Sequence, residues 1–422
     1  MHRRPTGLFF FILISFLLVV DFYTYAGVKT LTSAYSPRTR KIIHRIYWGI
    51  SLGIYVGVGL IAMLVSFHKG IPHSVMTFIG IWLMFFIPKL IFIIFLLGED
   101  VYRLFRMGIV AVRNKISSGD PIPVSESRRR FVSMIALGAA SIPFAGIIHG
   151  MTFGKFDFRV RREELSFPDL PEAFDGFTIT QISDIHVGSF DEVTHRDEVK
   201  RGIAMATAEK SDLLVFTGDL VNNMASEMDP WMDVFNNMRA PYGQFSILGN
   251  HDYGMYLDWS EEERLASMKR LAEIEKELGF DLLKNENRVI EKDGQKIYLL
   301  GVEDWGKGFL LAGDLDKALV GVPEDAFKIL LSHDPSHFDH IVSQHPTQVH
   351  LTLSGHTHGA QMGVEIPWLK FSPIQFAYPH WAGMYEESKR HLYVNRGFGF
   401  LAFPGRVGVW PEITTITLRK KK

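Results

Sequence analysis

The sequence predicts an α/β domain built on two β-sheets with flanking helices, preceded by an α-helical membrane region. Three observations predict it. The first third of the chain is far more apolar than the rest and contains four segments close to membrane-spanning length. From about residue 155, short β-rich runs alternate with polar stretches of helical period. Several of those runs end in a Gly, Asp or His cluster, the end at which open α/β sheets gather their sites.

At 422 residues the chain has room for two or three domains, each with a core of its own. A formal net charge of −1 with 22% charged residues gives no sign of a nucleic-acid partner. There is no cysteine, which excludes disulfides, thiolate metal ligands and a cysteine nucleophile.

Residues 1–98 contain three predicted membrane helices, at 8–26, 42–67 and 74–97. Asp21 interrupts the first near its end, and Pro88 and Lys89 lie inside the third. A proline is tolerated in a helix bundle, and the lysine must snorkel or find a partner. Residues 99–130 read as a basic cytoplasmic linker, amphipathic at first (VYRLFRMGIV) and polar later (SSGDPIPVSES). Residues 131–150 form a weaker fourth membrane helix. The preceding "SRRRFV" (127–132) resembles a twin-arginine export signal and equally suits a basic anchor in front of a membrane helix.

The two loops on one side of this arrangement carry twelve cations: Lys29, Arg38, Arg40, Lys41, Arg45, Arg103, Arg106, Arg113, Lys115, Arg128, Arg129 and Arg130. The opposite side has three: Arg3, Arg4 and Lys69. Positive charge stays in the cytoplasm, so four crossings place residues 151–422 outside it. The prediction is a multi-pass protein of the cell membrane with an extracytoplasmic domain. If the fourth segment does not cross, the orientation inverts.

Within 151–422 the strand candidates are FTITQISDIH, DLLVFTGDL, QFSILGNHD, KIYLLGVED, FKILLSHDP and VHLTLSGHTH, with RHLYVN and ITTITLR late in the chain. Helices are expected at 193–210, 229–239 and 260–279, the last with glutamates in its first turn and a glycine stop. This alternation argues for buried strands in an α/β core, and the late strands argue for a second sheet.

Five polar clusters end these strands: Asp184 and His186 in "SDIHVG"; Gly218 and Asp219 in "TGDLV"; Asn250, His251 and Asp252 in "GNHDY"; His333 in "LSHDP"; and His356 and His358 in "SGHTHG". At an extended strand end, residues i and i+2 face the same side, so Asp184 with His186 and His356 with His358 can each converge on one point. Nitrogen and oxygen donors without sulfur suit a dinuclear site for manganese, iron or zinc.

The series D-x-H, G-D, G-N-H-D, H, G-H-x-H, present in order across residues 184–358, resembles the calcineurin-like metallophosphoesterase superfamily. The likeness covers essentially residues 155–422 and implies that superfamily's two-sheet α/β sandwich flanked by helices. It also implies a metal-dependent phosphoric ester hydrolase with two divalent ions, manganese favoured. One ion would be held by Asp184, His186, Asp219 and His358, and the other by Asp219, Asn250, His333 and His356, with Asp219 bridging. His251 would contact the phosphate and help the leaving group depart. Asp252 would orient that imidazole and favour its protonated form. Two cations about 3.5–4 Å apart can acidify a water and clamp the phosphate oxygens during in-line attack.

Other residues are weighed beside these. Arg396, before a Gly-rich turn, is a candidate phosphate contact because a guanidinium fork matches phosphate oxygens. His337 and His340 read as a solvated helix face, and Glu303 with Asp304 as residues of the rim. Two apolar loops, 366–381 and 397–405, are either core edge or a greasy rim that meets the bilayer and admits an amphiphilic ester. The functional expectation is a membrane-anchored phosphodiesterase acting on an envelope or lipid-linked phosphate ester. Its rivals are a cytoplasmic-side UDP-acyl-sugar pyrophosphatase of lipid A synthesis, which the resemblance allows, and a catalytically inactive binding scaffold.

Overall fold

A computed structural model of the chain describes residues 7–64, 70–116, 126–307 and 310–421. Two compact units emerge: Met1–Val65 with Thr77–His149, and Ser66–Met76 with Gly150–Lys422. Arg3, Arg4, Lys69, the end of the second expected span (65–67) and residues 117–125 of the expected linker lie outside the described residues.

The first unit is helical: α1 (Gly7–Thr32), α2 (Pro37–Leu64), α3 (His73–Ile116) and α4 (Glu126–Thr152). Ser36 caps α2, its Oγ accepting the Thr39 N–H at 3.2 Å, and Pro37 follows at the first helical position. Among the described residues, Phe11–Thr32, His73–Val112 and Arg128–Thr152 are long and apolar enough to cross a membrane. These helices make the N-terminal region a membrane anchor. Leu17, Ile54, Phe92, Leu96, Ala136 and Ala140 are buried between helices, while Phe11, Phe22, Ile94 and Ile142 point outward. That is the inside-out distribution expected of helices solvated by lipid.

The boundary expected at residue 98 is absent. Residues 73–116 form one helix, roughly 65 Å long at 1.5 Å per residue. Gly98 is tolerated inside it, and the acidic pair that follows gives the helix interior a polar purpose. Glu99 meets Arg128 at 2.9 Å, and Asp100 meets Arg129 at 3.1 Å and Arg103 at 2.8 Å. Tyr23 donates to Asp100 at 2.5 Å, so α1, α3 and α4 share one polar clamp. Two of the three arginines in the SRRRFV stretch are thus ion-paired within the bundle.

Deeper in the bundle, Lys89 of α3 does find a partner. It pairs with Asp21 of α1 and donates to Ser51 of α2 at 3.1 Å. Tyr47 donates to the Asp21 backbone carbonyl at 2.8 Å and Tyr55 to its carboxylate. A charge in apolar surroundings is tolerable only with its polar partners in place, and these come from three helices.

Among its described residues the second unit contains fourteen strands: β1 (Arg159–Phe167), β2 (Thr178–Ile182), β3 (Leu213–Phe216), β4 (Gln244–Ser246), β5 (Asp281–Leu282), β6 (Glu286–Lys292), β7 (Gln295–Gly301), β8 (Lys328–Leu331), β9 (Leu351–Ser354), β10 (Val364–Ile366), β11 (Leu369–Phe371), β12 (Gly383–Glu387), β13 (Arg390–Val394) and β14 (Glu412–Lys420). They form two six-stranded sheets, in the orders β1-β14-β2-β3-β4-β5 and β12-β13-β9-β8-β7-β6, plus the two-stranded ribbon β10-β11. The strands that lead to the five polar clusters lie parallel within their sheets. The helices are α5 (Arg196–Ala208), α6 (Met232–Phe235), α7 (Glu261–Glu277), α8 (Leu315–Ala318) and α9 (Ser336–His340).

Period-two alternation decides which layer each side chain enters. Ile179, Leu213 and Val215 of the first sheet meet Leu299, Ile329, Leu331, Leu351 and Leu353 of the second in a shared core. Their neighbours Ile182, Leu214 and Phe216 face the opposite way, against Val199 and Ile203 of α5 and Leu271 and Ile274 of α7. Leu300 and Leu330 likewise pack under α8 and α9. The result is the expected two-sheet sandwich with helices outside. α7 begins as its sequence predicts, with a Ser260/Glu263 capping box. The helix expected at 229–239 shrinks to the single turn α6, because Pro230 leaves the preceding residues as a 3₁₀ turn.

The intramembrane ion pair gives a test of the first unit. Asp21→Leu, which strands the Lys89 charge, is expected to lower stability by about 3–5 kcal/mol. Adding Lys89→Met should recover most of that loss, measured by thermal unfolding of the detergent-solubilised chain. Equal damage from the single and double variants would mean that the pair does not hold these helices together.

Candidate metal centre

Each cluster sits where the sequence places it, at the carboxyl end of a strand. Asp184 and His186 follow β2, Asp219 follows β3, Asn250–Asp252 follow β4, His333 follows β8, and His356 and His358 follow β9. All are buried except His251 and His356, which are partly so.

The local backbone differs from the extended strand end that the i, i+2 argument assumed. Asp184, His186, Asp219, His356 and His358 all adopt left-handed conformations, with φ of 52°, 48°, 61°, 71° and 51°. Such conformations cost non-glycine residues on the order of 1–3 kcal/mol each and persist where surrounding contacts over-determine them. The pairs converge through tight turns, not through the pleat. Close approach explains the glycines beside them. A Cβ on Gly355 would lie 1.9 Å from Ser183 Oγ and 2.2 Å from Asp184 Oδ2. One on Gly218, at φ 93°, would lie 2.4 Å from the Gly249 nitrogen.

Among the described residues, three groups of donor atoms come within reach of a common cation: Asp184, His186 and His358; His186, Asp219 and His251; and Asp219, His333 and His356. Asp219 Oδ2 lies 3.4 Å from His186 Nε2 and 3.2 Å from His333 Nε2, and His358 Nε2 lies 3.4 Å from Asp184 Oδ1. Asn250 Oδ1 lies 2.8 Å from His356 Nδ1 and 3.2 Å from His333 Nε2, while its amide donates to Tyr256 at 2.6 Å. The amide oxygen is therefore the atom turned toward the imidazoles.

The donor set fits a metal. His333 Nε2 and His356 Nδ1 face one another at 3.3 Å. Both ring nitrogens of His186, and Nε2 of His358, are buried without a hydrogen-bond partner. Such spacings match two ligands on one cation at about 2.1 Å. His333 Nδ1 donates to the Thr217 carbonyl at 2.7 Å, leaving Nε2 for the site. Burial opposes the Asp219 charge, but the His333 and His251 imidazoles hold its carboxyl well below the usual range. Burial pushes His358 well down, leaving the neutral ring that a ligand needs.

Asp252 occupies a different position from the one expected. Its carboxylate accepts the backbone N–H groups of Asp219 at 2.7 Å, Gly249 and Leu220 at 2.9 Å, and Val221 at 3.2 Å. It braces the loop after β3 and does not hold the His251 ring. That ring is held by the Asn222 carbonyl, which accepts from Nδ1 at 2.7 Å, and it stacks on Tyr256 at 4.4 Å. Burial outweighs the raising pull of Asp219 and brings His251 down to about 4, so the expected protonated form is not favoured here.

Arg396 is also engaged elsewhere. It is 2% exposed, pairs with Glu412, and meets Glu365 at 2.6 and 3.1 Å, so its guanidinium is committed to these carboxylates and not to the substrate contact expected of it. His337 is fully buried, with Nδ1 2.8 Å from Ser332 Oγ, and does not lie on a solvated face. Asp304 is buried, not at a rim. Neither of its carboxylate oxygens has a hydrogen-bond partner, and burial raises it to about 7.

Sequence reading missed three supports. Tyr378 lies 2.8 Å from His356 Nε2, Asp334 lies 3.4 Å from the same atom, and buried Arg406 reaches His358 Nδ1 at 3.1 Å. Asp334 was adjacent to a named histidine and was available as a signal. The other two come from distant loops.

Two family descriptions match the chain: "Probable Calcineurin-like phosphoesterase, transmembrane domain" over residues 3–155, and "Calcineurin-like phosphoesterase" over residues 177–360. An uncharacterized metallophosphoesterase of Bacillus subtilis, YkuE, is 33% identical over 258 residues, covering 59% of this chain and 82% of that one. A Danio rerio transmembrane protein with metallophosphoesterase domain is 26% identical over 339 residues, covering 78% and 71%. Phosphodiesterase YaeI of Escherichia coli is 27% identical over 293 residues, covering 69% and 99%. With its complete motif series set on a two-sheet α/β core behind apolar helices, the chain belongs to the calcineurin-like metallophosphoesterases.

Proposed function

We propose that the chain is a phosphodiesterase of the cell membrane that uses two divalent cations to hydrolyse an envelope or lipid-linked phosphate ester, with its second unit outside the cytoplasm. The observation that carries the chemistry is the position of Asp219, whose Oδ2 faces His186 at 3.4 Å and His333 at 3.2 Å. One carboxylate thereby serves both ligand groups.

Asp184, His186, Asp219 and His358 would hold one cation, and Asp219, Asn250, His333 and His356 the other. Carboxylate and amide oxygens beside imidazoles suit manganese, with iron and zinc also compatible. When bound, the two ions would neutralise phosphate charge and make water acidic enough to supply the nucleophile at neutral pH.

The chain's own residues set the geometry. With its Nδ1 proton fixed on Asn222, the neutral His251 ring presents Nε2 as the atom through which a proton taken up from the site can pass to the departing oxygen. Tyr256 stacks on that ring and also holds the Asn250 amide, so one side chain orients both a ligand and the proton carrier. Asp252 keeps Asp219 in its left-handed turn. Support for the extracytoplasmic side comes from the bias of twelve cations to three, and support for a diester from the name of the E. coli relative.

His251→Ala is expected to lower turnover of a chromogenic diester by about 10²–10⁴-fold while metal content, read by mass spectrometry, is retained. Asp219→Ala should lose metal and turnover together. Equal metal loss in both variants would reassign His251 as a ligand.

Asp252→Ala should lower stability by at least about 2 kcal/mol, because four buried N–H groups lose their acceptor, and metal content should fall with it. Unchanged unfolding and metal content with lost turnover would instead tie Asp252 to His251.

Paired reporters fused at residue 422, one working only inside and one only outside, should report the outside. An inside signal would bring cleavage of a cytoplasmic lipid-precursor pyrophosphate to the front.

A further inference from the structure

Large apolar side chains exposed on the second unit are mostly isolated, as at Val193, Leu265 and Val320, and isolated ones need no explanation. Residues 364–376 break that pattern. Trp368, in the turn of the β10–β11 ribbon, is 83% exposed, and Phe376, just beyond it, is 82% exposed. Val364, Ile366, Leu369 and Phe371 in the two short strands are exposed as well. A two-stranded ribbon is marginal in water by itself, and this one presents apolar side chains instead of burying them.

The root of the ribbon is fixed to the metal centre. Ser372 Oγ donates to the Gly359 carbonyl at 2.8 Å, beside the ligand His358. The chain then passes Phe376 and reaches Tyr378, whose hydroxyl lies 2.8 Å from His356 Nε2. The acidic residue of the ribbon, Glu365, is neutralised by Arg161 at 2.8 Å and Arg396 at 2.6 Å. Lys370 turns back to the Ala382 carbonyl and lies over the rings of Trp381 and Tyr385. The tip is left aromatic and aliphatic, without a free charge among these residues.

We propose that the β10–β11 ribbon and Phe376 enter a lipid surface, so that the metal centre opens beside a bilayer and takes phosphate esters carrying a lipid portion. A bilayer is the occupant the chain itself supplies, because the first unit tethers this one to a membrane. A tryptophan tip with flanking phenylalanines is the chemistry that partitions into the boundary between headgroups and acyl chains. The other apolar loop does not take part: Phe398 and Phe400 are 0% and 1% exposed and pack in the core under α5, so of the two readings open for 397–405 the core edge holds. The substrate part of the proposal rests on the phosphoesterase reading, whereas the lipid contact is measured without turnover.

The absence of cysteine allows a clean test. Trp368→Cys, Phe376→Cys and, as a distant control, Val320→Cys would each carry an environment-sensitive fluorophore. The full chain would be reconstituted in phosphatidylcholine–phosphatidylglycerol vesicles and quenched by doxyl-labelled lipid or by iodide. Labels at 368 and 376 should be quenched by doxyl lipid severalfold more than the label at 320, and by iodide correspondingly less. Equal doxyl quenching at all three positions would overturn the proposal. So would labels at 368 and 376 open to iodide, which places the ribbon in water. Protection from both quenchers would also overturn it, by showing a protein or a second copy on the ribbon. Hydrolysis of a water-soluble diester by the unmodified chain separately tests the phosphoesterase reading.

Discussion

The site depends first on the buried carboxylate of Asp252. By accepting backbone N–H groups from Asp219, Leu220, Val221 and Gly249, it ties the loop after β3 to the loop after β4. Asp219 is thereby held in a left-handed turn, with Oδ1 accepting the His251 N–H and Oδ2 directed at His186 and His333. A carboxylate that meets several backbone donors in a dry interior is held rigidly, even though burial and the neighbouring Asp219 push Asp252 up to about 7. The opposite loops are joined in the same way, since Asp184 accepts the His356 N–H at 2.9 Å. Two aspartates thus tie four of the five site loops in pairs, and the His333 loop joins the loop after β9 through its carbonyl, which accepts the Gly355 N–H at 2.9 Å.

Behind that platform lies a second buried electrostatic layer. Arg406 donates to the carbonyls of Arg396, Gly397, His358 and Gly399, and Arg396 is shared between Glu365 and Glu412. Removing one partner from such a network leaves an uncompensated buried charge, which is why these long side chains hold fixed positions. The network ties the loop before β14 to the histidine loop after β9, and it also accounts for Arg396 being withheld from substrate.

The anchor follows the same physics in an apolar solvent. Asp21 and Lys89 would each be expensive alone, and they are joined by Tyr47, Tyr55 and Ser51 into a group that fixes three helices relative to one another. Glu99 and Asp100 do the same with Arg128 and Arg129. The cations that bias the topology therefore also contribute to packing within the bundle.

Much of this was legible in the sequence because it depends on local order. Helix length and hydropathy fixed the anchor, period-two runs fixed six strands that end in polar clusters, and the ordered motifs named every residue of the donor groups. The weakly patterned strands β1, β6 and β12 were not legible, nor was the short ribbon β10–β11. Their pairing is decided by distant partners, as when β1 aligns with β14 some 250 residues away. Side-chain roles were the least legible. Asp252 next to His251 suggested a carboxylate–imidazole pair, but adjacent residues at a tight turn point in different directions, and the carboxylate went to backbone donors. The two apolar loops have similar composition, yet Phe398 and Phe400 entered the core while Trp368 and Phe376 stayed outside. Sequence by itself determined which groups were available to bind metal and to lie in a membrane. Only the tertiary structure decided which partner each group meets, because burial and the direction of a hydrogen bond are properties of the whole packed chain.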